Sequence, residues 1–104
     1  MDRLGKRYKL DISKNEMKRL GFRFDYELDD YVYKFPVYRY GRIPVLFCKL
    51  GFYEETNNIW FNIYDNNGLY IAYYNREYGK NAILSEIEEA ISTEFNKIGV
   101  RMVA

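Results

Sequence analysis

From Phe22 to Tyr74, apolar or aromatic residues alternate with polar ones, and the alternation is interrupted only by short clusters of Gly, Asn, Asp and Pro. A period of two marks a strand with one buried face, and clusters of that composition are turns. The pattern predicts an antiparallel meander of about five strands over residues 22–28, 31–40, 43–54, 59–65 and 69–74. Turn lengths then set the register, because a slip of one residue moves every side chain to the other face.

Asp29-Asp30 as a two-residue turn pairs Tyr26 with Tyr33 and Phe24 with Phe35. Gly41-Arg42 suits a type II′ turn, with glycine at the position of positive φ, and sets Val37 opposite Leu46, Phe35 opposite Cys48 and Tyr33 opposite Leu50. A four-residue loop over 55–58 matches Phe52 with Phe61 and Leu50 with Ile63. A three-residue loop, Asn66-Asn67-Gly68, places Ile63 opposite Ile71 and Phe61 opposite Tyr73. Pro36 falls inside the second strand without an amide to donate, so it marks either a bulge or a gap in pairing.

These registers give two faces. One collects Phe22, Phe24, Tyr26, Tyr33, Phe35, Val37, Leu46, Cys48, Leu50, Phe52, Phe61, Ile63, Leu69, Ile71 and Tyr73, and is the expected core. The other collects Arg23, Asp25, Glu27, Lys34, Tyr38, Tyr40, Phe47, Lys49, Tyr53, Trp60, Asn62, Tyr64, Tyr70 and Tyr74. It is a field of tyrosine and tryptophan interrupted by charge, with Asp25 set to pair with Lys34 across the strands.

Helices flank the sheet. Ser13 and Glu16 have capping-box spacing, Ile12 and Met17 stand at staple positions, and Gly21 supplies a left-handed stop, which predicts a short helix from about Lys14 to Leu20. Ile83, Leu84, Ile87, Ala90, Ile91, Phe95 and Ile98 recur at three- and four-residue spacing, which predicts an amphipathic helix from Asn81 to Gly99 packed on one face of the sheet. Its outer side carries Glu86, Glu88, Glu89 and Glu94. Residues 75–80 read as a loop, 100–103 as an edge strand or tail, and 1–9 as a flexible basic arm. The fold class is α+β, in a single domain spanning residues 1–104.

Composition sharpens the picture in two places. Twelve Tyr, seven Phe and one Trp make up 19% of the 104 residues, and tyrosine in excess points to a half-exposed surface, since its ring packs while its hydroxyl stays wet. Charge is uneven: the net of +1 divides into about +5 over residues 1–52 and about −4 over 53–104, so an anionic partner would be drawn to the amino half. The single cysteine, Cys48, is expected inward and fits a reducing compartment. The absence of a signal-like start or a long apolar run suggests a cytoplasmic protein with no membrane partner.

Chemistry is excluded more readily than assigned. The chain has no histidine, which removes Ser-His and Cys-His nucleophiles and the commonest metal ligand and general base. Neither a P-loop nor a dinucleotide fingerprint is present. Asp65-Asn66-Asn67-Gly68 fails as a calcium loop, because Ile63 and Tyr74 would occupy the outer ligand positions. The expectation is a protein that is not an enzyme and uses no cofactor or metal.

The candidate binding residues are Tyr38, Tyr40, Trp60, Tyr64, Tyr70 and Tyr74, with Lys34, Arg39, Arg42 and Lys49 beside them. Tyr, Trp and Arg dominate protein hot spots, so a protein partner or a second copy of the chain is the first expectation. The alternative is single-stranded nucleic acid, with bases stacked on the aromatics and phosphates tracked by the basic groups. In size and character only, the chain resembles small binding proteins of phages and mobile elements, anti-CRISPR inhibitors among them. A small domain without catalytic groups that carries such a face is expected to be an adaptor, regulator or inhibitor.

Overall fold

The computed structural model describes residues 7–53, 56–74 and 82–103. The chain folds as α+β, with a meander at its centre as the alternation predicts. In chain order the elements are β1 (Arg7–Lys9), α1 (Lys14–Leu20), β2 (Arg23–Asp25), β3 (Asp30–Tyr40), β4 (Ile43–Phe52), β5 (Asn58–Asp65), β6 (Gly68–Leu69), α2 (Ile71–Tyr74), α3 (Ala82–Ile98) and β7 (Arg101–Val103). Sheet order is β2-β3-β4-β5-β1-β7, with β6 also on β5.

Where a tail was expected, Arg7–Lys9 forms a strand between β5 and β7, with Tyr8 opposite Ile59 on one side and Met102 on the other. The Tyr8 ring packs edge-on against Phe61 and Phe95 at 5.7 and 5.3 Å. A strand of 3 residues is too short for its alternation to stand out, and Arg7 and Lys9 give the segment the charge of a solvated tail. Residues 1–6 of the expected arm lie outside the described residues, as do Glu54, Glu55 and the 75–80 loop.

The β3–β4 register holds at Tyr33–Leu50 and Phe35–Cys48, and the turn is Gly41-Arg42. Gly41 has φ 64° while Arg42 stays out of the positive region, as a type II′ turn requires. Between these points lie two compensating irregularities. Tyr38, rather than Val37, faces Leu46, so one residue bulges on each strand and the register recovers. Pro36 stands beside the first of them.

Three other registers differ from expectation. The turn before β3 spans 26–29, with Asp29 at φ 53°, so Phe24 faces Tyr31 and not Phe35. Asp25 causes this: its Oδ1 accepts from the Glu27 and Leu28 amides at 2.9 and 3.1 Å and closes a wider turn. Phe24 and Tyr26, placed in the core by the tighter turn, are exposed, and Leu28 beside them is exposed too. The β4–β5 pairing is shifted by two residues, with Phe52 opposite Ile59 and Leu50 opposite Phe61. An even shift keeps each side chain on its face.

The fifth strand is the largest correction. Asn66-Asn67 forms a two-residue turn, Gly68 (φ 127°) pairs with Asp65, and the ladder ends at Leu69. The chain then winds into the single turn of α2. Ile71 does not face Ile63 but stands 62% exposed, and Leu69 is also exposed, while Tyr73 reaches the core from the helix.

Both predicted helices form. Ser13 Oγ accepts from the Glu16 amide at 3.3 Å, and Gly21 ends α1 at φ 111°. The core joins Phe35, Val37, Leu46, Cys48, Leu50, Ile59, Phe61 and Ile63 of the sheet to Leu84, Ile87, Ile91, Phe95 and Ile98 of α3. Met17 and Leu20 of α1 pack against the same cluster, so α1 shares the core side with α3. No helix among the described residues is long and apolar enough to cross a membrane.

Candidate binding surface

The expected aromatic field divides into three parts. Tyr38, Tyr70 and Tyr74 pack against the core cluster, not on an open sheet face. For Tyr38 the cause is the bulge at Val37, which turns both residues toward the α3 side. For Tyr70 and Tyr74 it is the winding of the chain into α2.

Tyr74 has an internal task. Its hydroxyl accepts from the Ile63 amide at 2.9 Å and donates to Asn62 Oδ1 at 3.0 Å. Beside it, the Tyr70 amide donates to the Ile63 carbonyl at 2.8 Å. Together they fill the gap on β5 between β1 and β6, where a strand would otherwise pair. Burial pushes the Tyr74 phenol up to about 12.

Trp60 remains on the outer face, although it is not free there. Its indole N–H donates to the Phe52 carbonyl at 3.2 Å. The ring lies against Gly51, where a Cβ would come within 2.5 Å of Cζ2. The β3–β4 pairing ends at Tyr33–Leu50, two residues short of Phe52, which leaves the Phe52 carbonyl to the indole.

Tyr64, Lys34 and Lys49 are also on the outer face, joined by Phe47, which was placed on that face but not among the candidates. Lys34 and Lys49 are direct cross-strand partners. Lys34 Nζ lies 4.5 Å from the Phe47 ring centre and Lys49 Nζ 5.4 Å from that of Tyr64, attractive positions for a cation. Lys49 also bonds Asp25 Oδ2 at 3.2 Å, in place of the expected Asp25–Lys34 pair. The Leu28 amide, and after it the Lys49 ammonium, hold the Asp25 carboxyl below its ordinary range. A shallow recess of about 260 Å³ lies between these side chains, Asp65 and Asn66.

Tyr40, Arg39 and Arg42 stand at the β3–β4 turn. Arg39 Nη1 donates to the Arg42 carbonyl at 3.4 Å. Tyr40 is 76% exposed and its cross-strand partner Ile43 is 67% exposed. The register Phe47–Tyr64 sets this turn at the same end of the sheet as Leu69 and Ile71. Ile43 escaped the sequence reading, although its place beside a tight turn beyond the end of β5 was a usable signal.

Cys48 is buried, and burial raises its thiol well above its ordinary range, which disfavours the reactive thiolate. No cluster of three or more possible metal ligands occurs among the described residues. No family model, curated protein or solved structure matches the chain.

Proposed function

We propose that this chain is a non-catalytic protein-recognition domain, an adaptor, regulator or inhibitor that acts by surface contact. The carrying observation is the apolar end of the sheet, where Tyr40, Ile43, Leu69 and Ile71 stand in water. Large apolar side chains left exposed at one end of a sheet are the material of association surfaces, and Arg39 and Arg42 stand beside Tyr40 and Ile43 at the turn. A second copy of the chain meets the same requirement, and sedimentation across a concentration series separates that case from a foreign partner.

Nucleic acid is the second reading, favoured by the placement of Lys34 and Lys49 between Phe47 and Tyr64. Weighing against it, Lys49 is neutralised by Asp25 and Trp60 is laid against its own backbone. Titration with single-stranded DNA and RNA distinguishes the two. The protein reading expects no measurable affinity at about 0.15 M salt. The nucleic-acid reading expects affinity that falls steeply with salt, with a slope that Lys34→Ala flattens.

A further inference from the structure

β2 pairs only with residues 30–32 of β3. Among the described residues, β3 is paired from Tyr33 to Tyr40 on the β4 side alone, and no strand takes its other side. The direction of each backbone group follows from β5. The Ile63 amide and carbonyl are engaged by Tyr74 and Tyr70, away from β4. Alternation along the ladder then aims the backbone groups of Cys48 at β3 and those of Phe35 at β4. Lys34 N–H and C=O, and the Pro36 carbonyl, therefore point out of the open edge. Pro36 is tolerated because the amide it lacks would have faced outward.

Beside this edge runs a groove of about 500 Å³, lined by residues 35–39 of β3 and by Glu86, Glu89, Ala90, Thr93 and Glu94 of α3. Phe35, Val37 and Ala90 make it apolar, and α3 makes its far wall acidic. Glu94 is shared between Tyr33 and Lys97. Glu86 and Glu89 are exposed and have no ion-pair partner among the described residues.

From these features we infer that β3 accepts an extended segment of a partner protein as an added strand, with basic side chains turned to α3. Open backbone groups supply main-chain bonds, and alternate side chains of an added strand enter the flanking groove. The acidic wall selects lysine or arginine at those alternate positions. Lys34, Pro36 and the bulge at Val37 are devices that oppose indiscriminate edge pairing, so a second copy's identical edge is disfavoured. The surface adjoins the apolar end of the sheet at Arg39 but does not include Tyr40 or Ile43, and the inference rests on the protein-binding reading only for the class of partner.

The test uses the isotopically labelled full chain and a short synthetic peptide of alternating lysine and valine. Expected are NMR shift changes at the amides of Lys34, Arg39 and Ala90, with slowed exchange at Lys34. The exposed double variant Glu86→Gln/Glu89→Gln folds normally and binds about fivefold to tenfold more weakly. N-methylation along one edge of the peptide abolishes binding. Tyr40→Ser/Ile43→Ser leaves peptide affinity unchanged, so failure of the apolar-end proposal and failure of this one are told apart. An alternating glutamate–valine peptide that binds equally well, shifts confined to the outer face, or no shifts at all would overturn the inference.

Discussion

Trp60 and Tyr74 both have the chemistry of interface hot spots, and both are used internally. Since the indole lies on Gly51, Gly51→Ala should destabilise the domain by about 1–3 kcal/mol through overpacking, read from the urea midpoint and accompanied by a change in tryptophan fluorescence. Tyr74→Phe keeps the ring and removes the hydroxyl that serves Ile63. A cost of about 1–3 kcal/mol is expected for the unsatisfied amide. The raised phenol also sets a pH dependence. A group harder to ionise in the folded state adds stability below its unfolded value of about 10, and that stability drains away toward about 12. Urea midpoints should therefore fall over that interval in the wild type and fall less in Tyr74→Phe.

Among the elements, the β2–β3 hairpin and β1 lend themselves to opposite tests. Asp25 closes the 26–29 turn and ties it to Lys49. Its folded value is depressed, so its contribution is present above about 3.8 and lost as the pH falls below that. Asp25→Ala should loosen residues 23–32, seen as accelerated amide exchange, while the rest of the sheet keeps its protection. By contrast, β1 lies inside the sheet. Tyr8→Ala removes a ring packed on Phe61 and Phe95 and should cost about 3 kcal/mol, lowering the urea midpoint of the whole domain. A change confined to residues 7–10 would mean that β1 is peripheral.

The sequence disclosed these elements unevenly, for physical reasons. The alternation located β3, β4 and β5, and the caps located α1, because each is encoded by side chains next to one another. The faces of β4 and β5 survived a two-residue error in register since parity, not register, decides which side is buried. Asp25 defeated the first hairpin by accepting two amides, a choice invisible to periodicity. The fifth strand failed because 69–74 alternates equally well as one helical turn that buries Tyr73. With it went the placing of Tyr70 and Tyr74. Of the candidate residues, Trp60, Tyr64, Lys34 and Lys49 lie on the expected face, Tyr40, Arg39 and Arg42 gather at the turn, and Tyr38 was diverted by the bulge beside Pro36.

At the scale of the whole molecule, α1, α2 and α3 meet the same core, leaving an outer sheet face, an apolar end and an acidic groove beside an open strand. The net charge of +1 supplies little long-range pull toward a polyanion, and contact recognition suits such a surface better. Capture from the source cell, with and without nuclease, comparing wild type with Tyr40→Ser/Ile43→Ser, tests this most directly. Both substitutions fall at exposed positions, so the urea midpoint should stay within about 0.5 kcal/mol of wild type. The account predicts a protein partner retained after nuclease and lost, by roughly thirtyfold or more in affinity, in the double variant. Captured material that disappears with nuclease, or a partner held equally well by the double variant, would contradict it.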